Sequence, residues 1–304
     1  MEIKSFDHLI DNMKSSTTKS RIAVVSAADD HTLEAVIKAR KSDIIEPILI
    51  GDLEKIENIL LSLGENRDEY DIIDQKDDIL SAQKAVELIH ENKADFIMKG
   101  KIQTGDLLKA VVDREKGLRT DNIMSHMAIF EIPNYHKLLF VTDGGMNISP
   151  TLEEKKQIIQ NSVNALKSMG YKRPKVSVLC AVETINPKMQ ETVDAVELKL
   201  ASENNEIKDC IIDGPISYDL MMSKKSAIIK GFESPVIENT DLVLVPNIAS
   251  GNILGKTLLY SAGAKMAGII LGAKVPIVLT SRGSTSEEKF LSIAISASAS
   301  SKNI

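Results

Sequence analysis

The sequence predicts an α/β protein with parallel-rich sheets, and three observations carry that reading. Short β-branched runs such as Arg21–Ala27 and Leu242–Val245 have the length and composition of strands. Helical patterns of ten or so residues separate them, which implies parallel βαβ units with helices stacked on both sheet faces. Several runs end in polar, Gly- or Ser-rich turns that enter helices, as loops at the carboxyl ends of strands do in open α/β sheets.

Along the chain, the strand Arg21–Ala27 leads to a helix over Asp30–Arg40. A second strand, Pro47–Gly51, leads to a helix over Leu53–Leu63, and Tyr70–Asp74 makes a short third strand. Ile79–Asn92 reads as helix, Asp95–Met98 as strand, and the turn Met98–Asp106 enters a helix over Leu107–Val112. Ser125–Ile132 and Lys137–Thr142 flank Pro133-Asn134-Tyr135-His136, which predicts an antiparallel pair, a change of topology and a domain junction. Thr151 and Glu154 form a capping box opening a helix to Met169. Lys175–Leu179 is a strand, Asn186-Pro187 reads as N-cap and N1 of the next helix, and Cys210–Asp213 is a strand ending in Asp213-Gly214-Pro215. Leu242–Val245 and Ile277–Leu279 are the last strands. Ser284 and Glu287 make a second capping box, opening a final helix that frays into Ser/Ala-rich sequence.

At 304 residues the chain has room for one or two domains, and its 43% hydrophobic and 26% charged content is that of an ordinary globular protein. A net charge of −6 argues against a general nucleic-acid or anionic-membrane surface, so an anionic ligand must be met by a local basic pocket. The two cysteines, Cys180 and Cys210, sit in or beside apolar runs and read as buried free thiols of a reducing compartment. No apolar run approaches the roughly 20 residues of a membrane helix and the N-terminus lacks a signal-type apolar core, so the expectation is a cytoplasmic protein. The five histidines form no i, i+4 pair and there is no C-x-x-C, so no metal site is expected. His126, within strand-like sequence, reads as a partly buried histidine more readily than as a base.

The richest stretch is Asp241–Lys289. Its first turn, Ser250-Gly251-Asn252, offers backbone N–H groups and a positive helix end to an anion. Its second, Ser281-Arg282-Gly283, places a hydroxyl and a permanent guanidinium just ahead of Glu287 and Glu288. Upstream, Lys99, Lys101 and Lys109 flank the turn containing Thr104; solvated loop lysines and an anion site are equal readings there. Asp143 and Asn147 line a cleft or fix their own loop as Asx residues. Gly251–Thr257 imitates a nucleotide-binding P-loop, but three residues separate its glycines where four are needed. No G-x-G-x-x-G follows a strand, which removes a nicotinamide site.

The features Pro246 with Ser250-Gly251-Asn252, the Gly263/Gly268 segment, Ser281-Arg282-Gly283, the Lys99–Lys109 region and Asp213-Gly214-Pro215 resemble the phosphate acyltransferase family, closer to its butyryl- than to its acetyl-transferring members. The resemblance implies the fold of isocitrate and isopropylmalate dehydrogenases without their nicotinamide chemistry. It places domain I at 1–137 plus 286–304 and domain II at 138–285, with a cleft between them.

The activity it implies is reversible transfer of a short acyl group, butyryl favoured, between coenzyme A and inorganic phosphate. Coenzyme A is then a substrate, no cofactor is tightly bound, and the partners are acyl-CoA, phosphate and further copies of the chain in a dimer or larger oligomer. Ser281, Arg282 and Glu288 are implied as catalytic. Glu288 stands seven positions after the motif serine as base, and Glu287 is its rival with a capping role of its own. Lys99, Thr104, Lys109, Asp143, Ser250, Gly251, Asn252 and Gly283 are implied as substrate-binding. Lys109 stands where acetyl enzymes carry arginine and gives a point charge without arginine's bidentate fork; Arg119 is the nearest arginine to compensate. A phosphate acetyltransferase, a non-catalytic coenzyme A- or phosphate-binding module and a decarboxylating dehydrogenase are the competing readings.

Overall fold

The computed structural model describes residues 2–14, 19–280 and 283–300. In chain order these form α1 (Phe6–Lys14), β1 (Ser20–Val25), α2 (Asp30–Lys41), β2 (Ile45–Gly51), α3 (Leu53–Ser62), β3 (Asp71–Asp74), α4 (Asp78–His90), β4 (Phe96–Lys99) and α5 (Thr104–Val111). There follow β5 (Ser125–Glu131), β6 (Leu139–Thr142), α6 (Leu152–Ser168), β7 (Lys175–Leu179), α7 (Gln190–Glu203), β8 (Ile211–Ile216), α8 (Tyr218–Met222) and α9 (Lys224–Lys230). The chain then adds β9 (Leu242–Leu244), α10 (Ile248–Ser261), β10 (Lys265–Leu271), β11 (Ile277–Val278) and α11 (Ser286–Ser300). No helix among the described residues is long and apolar enough to cross a membrane.

The chain divides into two compact units, Phe6–Asn122 with Ala267–Ile304 and Met1–Ser5 with Ile123–Met266. We call them the outer and the central unit, after their places in the sequence. The division falls at 122/123 and 266/267. Strand pairing is the reason: β5 pairs antiparallel with β6, and β11 pairs in parallel with β4.

In the outer unit the strand order is β3-β2-β1-β4-β11-β10. The pairs β2–β3, β1–β2, β1–β4 and β4–β11 are parallel, so the carboxyl ends of β1, β4 and β11 emerge side by side. These strands are buried on both faces, which explains the near-continuous apolar runs Ile22–Val25 and Phe96–Met98. The helix α11 corrects the expected fraying. It is buried from Lys289 to Ala299 and packs on α2, α1 and β11, because alanine and serine side chains let a helix approach closely. The Ser292 hydroxyl is spent within the fold: its Oγ donates to the Glu288 carbonyl (2.7 Å) and accepts from the Gly268 amide (3.0 Å).

In the central unit the order is β5-β6-β9-β7-β8, parallel except for the β5–β6 hairpin. Phe130, Leu139, Val141, Ile216, Val243 and Leu258 form its core. The Thr151–Glu154 capping box is present in full. The expected cap at Asn186-Pro187 is not: α7 begins at Gln190 after Met189. The segment between is a separate turn, tied by Thr192 Oγ1, which accepts from the Asn186 amide (2.8 Å) and lies 3.0 Å from the Asn186 carbonyl.

Candidate active site

In the outer unit the loops after β1, β4 and β11 run together because their strands are adjacent and parallel. Gly100 makes this possible, since a Cβ there would lie 2.4 Å from the Ser26 carbonyl oxygen. The Gly100 and Lys101 amides donate to Val25 and Ser26 carbonyls at 2.8 and 2.9 Å, pinning the loop after β4 against that after β1. Lys99, at the end of β4, is buried and donates to the Gly100 carbonyl at 3.1 Å. Thr104 opens α5 on the exposed surface. Lys109 is on the outer face of α5, its side chain 81% exposed and 3.1 Å from Asp106. There it lines a groove of about 1030 Å³ with Ile79, Gln83 and His90. Arg119 is exposed as well, its backbone bridged to Ala273.

Ser281 and Arg282 lie outside the described residues. Gly283 occupies an exposed turn with no atom within 4 Å of the place a Cβ would take. The helix start just beyond corrects the expected capping box by one residue. Thr285 and Glu288 make the reciprocal pair: the Glu288 amide donates to Thr285 Oγ1 and the Thr285 amide to Glu288 Oε2, both 3.2 Å. Glu287 is drawn away by an ion pair with Lys38 of α2. Glu288 thus caps the helix with one carboxylate oxygen, and the second has no hydrogen-bond partner among the described residues.

Two residues that sequence reasoning passed over stand beside this turn. Asp29, following β1, caps α2. Burial alone would push its carboxyl up, but bonds from the Thr32 hydroxyl (2.5 Å) and amide (2.9 Å) outweigh it and hold the carboxyl below its usual value. Lys289 follows Glu288 and is 8% exposed, its Nζ 3.1 Å from Thr280 Oγ1. Burial pushes its ammonium below the ordinary value, against the opposing pull of Asp29 and Glu288. A cation in the first turn of a helix was the one available signal, since the dipole disfavours it there.

In the central unit the turn after β6 is organised by Asp143, which is 2% exposed. Its Oδ1 accepts from the Gly145 and Met146 amides at 2.9 and 2.8 Å. Its Oδ2 accepts from the His126 amide (3.1 Å), the Asn147 amide (3.3 Å) and Asn147 Nδ2 (2.6 Å). Of the two readings the sequence left open, these bonds describe the loop-fixing one. His126 packs its ring on Gly145; burial pushes its imidazole down, opposed by the Asp143 charge.

The turn after β9 differs from its expected form. Ser250, Gly251 and Asn252 are already helical, and Asn247 is the N-cap of α10. Asn247 Oδ1 accepts from the Ser250 amide (3.0 Å) and hydroxyl (3.1 Å), the Ile248 amide goes to the Ile148 carbonyl (3.1 Å), and the Gly251 amide to the Asn247 carbonyl (3.2 Å). The amides of Ser250 and Gly251 and the Ser250 hydroxyl are therefore taken, and what this turn can still offer an anion is the exposed Asn252 side chain. Gly251 seats on Gly144 so closely that its Cβ would lie 2.6 Å from the Gly144 Cα. The P-loop likeness ends here, because Gly251–Thr257 is wholly within α10. Asp213 is likewise engaged, by Lys199 (2.9 Å) and Ser234 (2.5 Å).

Comparison with known proteins bears on the same segments. A family model described as phosphate acetyl/butaryl transferase matches residues 80–297. A phosphate butyryltransferase from Clostridium acetobutylicum is 42% identical over 295 residues, 97% of this chain and 98% of that protein. A phosphate acetyltransferase from Thermotoga maritima is 43% identical over 277 residues, 91% of this chain and 94% of that protein. Among solved structures, a branched-chain phosphotransacylase from Enterococcus faecalis superposes with a TM-score of 0.81 at 31% identity, covering 92% of this chain and 99% of that one.

Proposed function

The chain belongs to the phosphate acetyl/butyryl transferase family, and from that membership we propose that it moves a short acyl group, butyryl in preference to acetyl, between coenzyme A and inorganic phosphate. It is an acyltransferase. One observation carries the reading: the family match over residues 80–297 takes in every residue from Lys99 to Glu288 named above. The preference for butyryl is supported by the fuller overlap with the butyryltransferase than with the acetyltransferase.

In the direction that consumes acyl phosphate, the coenzyme A thiol loses its proton and its sulfur attacks the acyl carbon. The carbon–oxygen bond to phosphate then breaks, the electron pair leaves with phosphate, and a thioester remains. A thiol with a reference pKa near 8.5 needs a base near neutral pH. Glu288 is the proposed base, through the carboxylate oxygen that the cap leaves unused. Arg282 stabilises the charge developing on the carbonyl and phosphate oxygens, and Ser281 donates a hydrogen bond to the thiolate or tetrahedral intermediate. Lys99, Thr104, Lys109, Asp143, Ser250, Gly251 and Gly283 shape or charge the substrate sites, with the Asn252 side chain as a polar contact. In this reading the two units are domains of the isocitrate/isopropylmalate dehydrogenase-like fold, the enzyme is a cytoplasmic oligomer, and no cofactor is tightly bound.

The test is direct. The protein is mixed with butyryl-CoA and phosphate and free thiol is followed; phosphate-dependent release is expected. Coenzyme A binding without turnover would mark a non-catalytic module and overturn the reading. An equal or higher kcat/KM for acetyl-CoA would move the enzyme to the acetyl branch.

A further inference from the structure

A lysine ammonium has three N–H donors and a full charge, and burying it is costly unless carboxylates or several acceptors surround it. Two lysines of the central unit meet that rule. Lys137, 1% exposed, donates to Asp241 (2.7 Å), the Asn239 carbonyl (2.9 Å) and Glu2 (3.2 Å). Lys155 pairs with Asp194 at 2.6 Å. Lys289 of the outer unit, 8% exposed, does not. Among the described residues its ammonium has one hydrogen-bond partner, the neutral Thr280 hydroxyl, and no carboxylate within ion-pair distance. It also sits in the first turn of α11, where the helix dipole adds a further positive potential.

The position of this group says what would complete it. Thr280 lies at the carboxyl end of β11, beside the ends of β1 and β4, where open α/β sheets take their ligands. Thr280 immediately precedes Ser281 and Arg282, and Lys289 immediately follows Glu288. A compact anion with several oxygens satisfies the two unused donors and the charge together. We propose that the Lys289 ammonium is a further catalytic residue that donates to a non-bridging phosphoryl oxygen of inorganic phosphate and of the acyl phosphate, with Thr280 holding it in place. This rests on the acyl-transfer reading above. As phosphate departs from the acyl carbon its oxygens gain charge, and a fixed ammonium stabilises that charge without reorganising.

The experiment has an activity arm and a binding arm. In wild-type enzyme, phosphate-dependent thiol release from butyryl-CoA tests the acyl-transfer reading alone. In Lys289→Met, the KM for phosphate should rise at least tenfold while that for butyryl-CoA stays within about twofold, and Lys289→Arg should recover part of the loss. In the binding arm, inorganic phosphate should raise the Tm of wild type and not of Lys289→Met. An unchanged phosphate KM and an unchanged phosphate-induced Tm shift in Lys289→Met overturn the proposal. A rise confined to the KM of butyryl-CoA also overturns it, because the ammonium would then face coenzyme A. If Lys289→Met does not fold, Thr280→Val decides: an intermediate rise in phosphate KM supports the proposal, and none overturns it. A wild type without turnover sinks the acyl-transfer reading, and the Tm arm still judges Lys289 by itself.

Discussion

The turn from β9 into α10 and the turn from β11 into α11 share one recipe, a buried strand, a few small polar residues and a helix start, yet they use it differently. In the first, Asn247 takes the amide and hydroxyl of Ser250, Ile148 takes the amide of Ile248, and Gly251 is seated on Gly144. That turn is closed by its own atoms. In the second, Thr285 and Glu288 close the helix end, but the same turn buries Lys289 with a single neutral partner among the described residues. Helix N-termini are routinely capped by their own chain. Where an anion is to be met, a side chain left incomplete is therefore a better guide than a polar turn.

The largest effect belongs to the second turn, at Glu288. Glu288→Gln keeps a side chain able to cap but unable to accept the thiol proton, so kcat should fall by about 10²-fold or more. Glu287→Gln only loosens the exposed pair with Lys38 and should cost under about 1 kcal/mol of stability with turnover nearly unchanged. Reversed phenotypes, read by steady-state kinetics, would make Glu287 the base.

Next in size is a packing contrast. Gly251→Ala forces a methyl onto the Gly144 backbone and should destabilise by about 1–3 kcal/mol in urea unfolding. Asn247→Ala, which removes the cap of the same turn, should cost about 1 kcal/mol. Gly283→Ala in the other turn meets nothing within 4 Å and should be close to neutral. Equal costs at 251 and 283 would erase the difference between a closed and an open turn.

The smallest effect is a slope. Burial lowers the Lys289 value in the folded chain, so between that value and the ordinary 10.5 the unfolded chain binds more protons. The stability contributed by this site therefore rises with pH through that window. Unfolding of wild type and Lys289→Met from neutral pH to 10.5 should show wild type gaining on the variant; the opposite slope would mean that the ammonium is already well paired.

The sheet frame was legible in the sequence because buried parallel strands write themselves as β-branched runs, as at Ile22–Val25, Phe96–Met98 and Leu242–Leu244. β10 was passed over because Lys265–Leu271 carries a mid-strand glycine and no alternation. The second capping box was ambiguous by construction. Ser284-Thr285 and Glu287-Glu288 offer two overlapping frames, and only Lys38, far away in sequence, decides between them. The α10 turn was misread for a related reason: Asn247 is as good an N-cap as any residue after it, and with it in place Ser250 and Gly251 fall inside the helix. Lys289 left only its place in the first turn of a helix as a signal, since burial of a charged residue depends on what covers it and no local pattern records that.

The Asp143 carboxylate, holding five donors from four residues, gives the loop after β6 a persistence that its lack of regular structure conceals. To free the amides of Gly145 and Met146, a buried carboxylate must lose its partners together with the β5 backbone at His126. Hydrogen exchange at these two amides should therefore track the slow strands on either side instead of the fast rate of an open loop, and a protease that seeks flexible glycine pairs should pass over Gly144-Gly145.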